Sequence, residues 1–146
     1  MNKSDFLDEM RLEVGLAYDY AVSQEDFMVR ILKTIHAAGR KQAVLTIHQY
    51  SDDGMKLKYA LGIRGLSKEQ ETLGQGFLFP ERLQMTSYVK KGRDQALYLP
   101  VYAGNQLTYM ISVKLIDSDY RISNQDLIFA QELVQFIQAK QSTFHS

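Results

Sequence analysis

The apolar pattern of this chain changes period. Between Ser4 and Val22, Phe6, Met10, Val14, Ala17 and Ala21 recur at spacings of three and four, whereas from Gln42 to Tyr50 and from Met55 to Arg64 apolar and polar residues alternate. The first spacing predicts an amphipathic helix and the second predicts half-buried strands. Ser23 followed by Asp26 starts a second helix in the manner of a capping box, with Phe27, Ile31, Ile35 and Ala38 as its stripe and Gly39 placed to stop it. Ser51-Asp52-Asp53-Gly54 joins the two alternating runs. An Asp-Gly pair between such runs predicts a hairpin. Strands resume at Ala96–Tyr102, turn at Ala103-Gly104-Asn105 and continue over Gln106–Ile116, before Ser123 and Asp126 cap a last helix running to about Lys140. Because the helices and strands come in blocks instead of alternating, the pattern predicts an α+β domain, an antiparallel sheet with helices packed on it.

Leu66–Gln95 breaks the pattern, and Ser67–Leu73 and Pro80–Val89 read as short helices around Gly74-Gln75-Gly76. A structureless run of that length would be unusual in a compact domain, so short helices or a mobile lid are the preferred readings. At 146 residues, the length predicts one domain spanning 1–146.

Seventeen basic residues balance seventeen acidic ones, so the chain lacks the charge footprint of a nucleic-acid or polybasic membrane binder. No apolar run approaches the roughly 18 residues of a spanning helix. The amphipathic, acidic start and the absence of Cys fit a cytoplasmic chain without a signal peptide.

Four segments of the second half stand out: Thr72-Leu73-Gly74-Gln75-Gly76-Phe77, Leu97-Tyr98-Leu99-Pro100-Val101, Asn105–Leu115 and Tyr120 to Leu127. In order and spacing essentially the whole chain resembles the GAF domains, sensory modules related in architecture to PAS domains, most closely in these segments. The first resembles the Leu-Gly-x-Gly segment before that family's ligand-covering helix, the second its apolar strand, the third the return strand and the fourth the start of its last helix. The resemblance implies a sheet with the terminal helices on one face and the middle segment over the other, and a regulatory role. Methionine sulfoxide reduction and covalent bilin attachment both need Cys, which this chain lacks. Asn2-Lys3, Phe6 and Asp8-Glu9 imitate the cyclic-nucleotide motif, but with the wrong spacing and on a helix.

His36, His48 and His145 share no metal-ligand spacing, and Asp52-Asp53 reads as turn chemistry. No nucleophile, base and orienting group form a visible set, so neither an enzyme nor a cofactor or metal site is expected. Strand parity carries more. Leu45, Ile47, Leu97, Leu99, Val101, Leu107, Tyr109 and Ile111 share an aliphatic face that should meet the helices. Thr46, His48, Tyr98, Tyr102 and Ser112 share the opposite face, alongside Met110 and Lys114. Apolar walls with a few polar groups suit a small-ligand pocket; a filled core is the alternative. Lys90-Lys91-Gly92-Arg93 reads as a solvated turn, with Arg93 available to an anionic ligand.

These readings lead to an expected function, a stand-alone sensor of a small metabolite or anion that signals to a separate output protein. The alternative is a ligand-free dimerisation scaffold. A second apolar row on the first helix, Leu12, Leu16 and Tyr20, together with Phe129 and Phe136 on the last, predicts a homodimer through the terminal helices; packing of the two helices on each other within one chain is the alternative.

Overall fold

The computed structural model describes residues 2–38, 43–62, 86–116 and 119–144. Helix α1, Lys3–Tyr20, starts at Asn2, whose side chain accepts the backbone N–H of Asp5 at 2.8 Å. Asn2 of the pair that imitates a ligand motif is thus a helix cap. Helix α2, Gln24–Ala38, begins as its capping residues require, with the Asp26 N–H donated to Ser23 Oγ at 3.0 Å.

The strands follow as β1 (Ala43–Ser51), β2 (Gly54–Leu61), β3 (Ser87–Lys91), β4 (Asp94–Ala103) and β5 (Gln106–Leu115). They pair antiparallel in the order β2-β1-β5-β4-β3. Helix α3, Asn124–Lys140, follows, then a short 3₁₀ turn, Gln141–Phe144. The result is the α+β class that the periodicity predicts.

Helices cover one sheet face, and α1 lies across α2 and α3. Phe27, Met28, Ile31 and Leu32 of α2, Ile137 of α3 and Leu45 and Ile47 of β1 are fully buried in this core. The core faces predicted from parity are therefore correct along most of the sheet. Phe136 also turns inward, packing edge-on against Tyr18 and Phe27 with ring centroids 5.6 and 5.8 Å apart. The widened apolar arc of the last helix is therefore consumed inside the chain. Leu12, Leu16 and Tyr20 are not, and remain 72%, 49% and 69% exposed.

Two expectations are corrected. Ser87–Val89 is strand, not the end of a short helix: Val89 and Tyr88 pair with Ala96 and Leu97, and Gly92-Arg93 makes the turn into β4. The alternation across that turn was hidden by its charged residues. Leu107 leaves the helix-facing set. Val101 pairs with Tyr109 but Tyr102 pairs with Leu107, so Thr108 is an extra residue on β5, a bulge that flips Leu107 onto the side of Tyr98 and Met110. Thr108 Oγ1 donates to the Val101 carbonyl at 2.9 Å, and Gln138 of α3 accepts the Tyr102 N–H at 2.9 Å. Side chains thus satisfy groups that a regular ladder would have paired. The short helix at Ser67–Leu73, the Gly74-Gln75-Gly76 loop, the lid up to residue 85, the Gly39 stop signal and His145 lie outside the described residues.

Candidate functional site

The sheet face turned away from the helices is buried as well. Thr46, Ser112 and Tyr98 stand on one rung across three neighbouring strands, since Thr46 pairs with Ser112 and Ser112 with Tyr98. They are 5%, 3% and 8% exposed. The Thr46 and Ser112 hydroxyls hydrogen-bond to each other. His48 occupies the next rung beside Met110 and Pro100, and Tyr102 lies further along β4, packed with Tyr50 against the Tyr98–Met110 cluster. The five residues expected on this face therefore share it. Arg93 does not: it lies in the exposed turn between β3 and β4.

The electrostatics of this face follow from burial. The Tyr50 hydroxyl is buried with no hydrogen-bond partner among the described residues. Desolvation pushes its pKa up to about 12, with nearby Tyr102 adding to the effect. Burial also raises the pKa of Tyr98. Lys114, one rung beyond Ser112 and opposite Val44 and Ala96, is half-buried, and desolvation lowers its pKa because the charged form loses water. Its ammonium has no ion pair among the described residues. Among the described residues, Lys114 is a half-buried cation on this face, where parity had placed it without marking it as a ligand contact.

A second feature lies on the helix side, where none was expected. Because α1 bridges α2 and α3, it leaves a cavity of about 370 Å³ beneath it. Phe6, Leu7 and Met10 of α1 form its roof, and Ile35 of α2 with Phe129, Ala130 and Leu133 of α3 its walls. Ala43, Leu97, Leu99, Val113 and Leu115 of the sheet form its floor. One end is polar. Lys3 Nζ donates to Asp126 Oδ2 at 2.8 Å, to the Arg121 carbonyl at 2.5 Å and to Ser123 Oγ at 3.1 Å.

Asp126 also accepts the Tyr120 hydroxyl on Oδ1 at 2.5 Å and the Ser123 N–H on Oδ2 at 2.8 Å. Burial pushes the Asp126 carboxyl pKa up, but the bonds from Lys3, Tyr120 and Ser123 outweigh it and hold the group below the ordinary carboxylate range. Gln95, itself buried, fastens the adjoining loop. It donates to the Tyr120 carbonyl at 2.8 Å and accepts the Ile122 N–H at 2.9 Å.

Sequence reasoning found Asp126 only as a helix cap and Lys3 only within the imitated motif, and passed over Gln95. Their partners lie far along the chain, so no local spacing announces them. Phe6 and Phe129 were visible as stripe residues, but a stripe does not tell a packed core from a cavity wall.

Among the described residues no group of three or more His, Cys, Asp or Glu could hold a metal ion. Nor is any helix among them long and apolar enough to cross a membrane. Neither a family model nor a curated protein matches this chain.

Proposed function

We propose that this chain is a GAF-like regulatory module that binds a small anionic metabolite against the mixed face of its sheet and reports to a separate partner protein in the cytoplasm. The observation that carries the reading is Lys114, a half-buried ammonium without an ion pair among the described residues, beside the Thr46–Ser112 hydroxyls and Tyr98. A partly desolvated cation is costly to the fold, and such costs are concentrated at binding sites. Hydroxyl donors around a cation suit a carboxylate or phosphate. The ordered resemblance to GAF domains supports a sensory role.

Thermal melting against a panel of anionic metabolites tests it. A ligand at 100 times its Kd stabilises by about 2.7 kcal/mol, a shift of a few degrees for a domain of this size. Lys114→Met should abolish the shift while leaving the ligand-free Tm unchanged or higher, because it removes the desolvated charge. No shift with any anion, or an equal shift in Lys114→Met, overturns the reading. The second reading, a dimerisation scaffold, rests on the exposed row Leu12, Leu16 and Tyr20.

A further inference from the structure

We propose that the cavity beneath α1 is a second binding site, for a small neutral apolar molecule, separate from the mixed sheet face. The pocket measures about 370 Å³ and opens partly to solvent. It lies within the roughly 300–1,000 Å³ range of small-molecule pockets and is more than twice the roughly 150 Å³ apolar cavity that accepts benzene. That leaves room for two or three aromatic rings or a chain of comparable bulk. Away from its polar end the pocket offers water few of the two to four polar partners it needs, because the roof, walls and floor are aliphatic and aromatic.

The polar end decides the charge of the ligand. All three N–H donors of Lys3 are engaged by Asp126, Ser123 and the Arg121 carbonyl, and both Asp126 oxygens accept bonds. A charged headgroup entering there would have to break an ion pair that already satisfies itself. The ion pair is therefore satisfied within the chain and recognises no ligand charge. Selectivity for uncharged, apolar molecules follows.

The test uses two fluorescent probes of similar shape, neutral N-phenylnaphthylamine and its anionic sulfonate relative anilinonaphthalenesulfonate, with the full chain. The neutral probe should bind saturably with one-to-one stoichiometry, and the sulfonate at least tenfold more weakly. In protein labelled at its methionine methyls, the Met10 resonance should shift during the titration, while those of Met28, in the packed core, and Met110, on the opposite sheet face, stay in place. Ala130→Leu, which fills the cavity from α3, should weaken the neutral probe at least tenfold, and Lys114→Met should leave it unchanged. The absence of saturable binding overturns the site. Movement of Met110 without Met10 also overturns it, and so does unchanged affinity in a folded Ala130→Leu. Equal binding of the sulfonate overturns the assignment to neutral ligands. If Ala130→Leu fails to fold, the wild-type methyl shifts alone decide.

Discussion

Lys3 and Asp126, 123 positions apart in the chain, meet at 2.8 Å and fasten the first turn of α1 to the first turn of α3. The Lys3 ammonium also lies 4.5 Å from the centre of the Tyr120 ring, so one side chain joins both ends of the chain and the loop between β5 and α3. Asp126→Asn should cost about 2 kcal/mol, the usual scale for hydrogen bonds to a charged group. Because the folded carboxyl titrates below its unfolded value of about 4, its contribution is present above that pH and lost as pH falls through the lowered value. Urea denaturation from neutral to acid pH should therefore show a steeper acid loss in the wild type than in Asp126→Asn. Parallel profiles would remove Asp126 from the account.

The Thr46–Ser112 contact predicts non-additivity. Thr46→Val or Ser112→Ala alone leaves a buried hydroxyl without its partner, at about 1–3 kcal/mol. The double substitution removes both groups and should cost clearly less than the sum of the singles, which a double-mutant cycle by chemical denaturation measures. Strict additivity would mean that the two hydroxyls do not interact.

Two glycines should respond with opposite signs. Gly62, at the end of β2, has φ 121°, and a Cβ there would collide with the backbone of Ala43 and Val44. Gly62→Ala should lose at least about 2 kcal/mol from the strained φ together with the clash. Gly15 sits inside α1 with open space around it, so Gly15→Ala should gain about 0.5–1 kcal/mol. Melting temperatures of the two variants, moving in opposite directions, are the readout.

The exposed α1 row predicts a homodimer. At tens of micromolar, light scattering should return twice the 16.8 kDa chain mass, and Leu12→Glu/Leu16→Glu should return it once with the fold intact. A monomeric wild type ends the proposal, as does a dimer that the double substitution leaves unchanged.

The sequence by itself determined most of the elements and most of their faces. The period of three and four in α1, the Ser23–Asp26 and Ser123–Asp126 caps and the alternation in β1, β4 and β5 are local, and each operates over a few residues of backbone geometry. That locality is why Thr46, His48, Tyr98, Tyr102 and Ser112 could be placed on one face before any fold was known. Its limit appears at Leu107, where a single extra residue at Thr108 inverts the parity. The bulge is held in part by Gln138, which accepts the Tyr102 N–H from 36 residues further along the chain. The tertiary structure alone decided which apolar excess finds a partner. Phe136 does, against Tyr18 and Phe27, while Leu12 and Leu16 do not, because α1 rotates its Leu7–Met10–Val14 side toward the core. It alone also made the cavity, since the space beneath α1 depends on how far apart α2 and α3 stand on the sheet. That separation is a property of packing between distant segments, which no local pattern encodes.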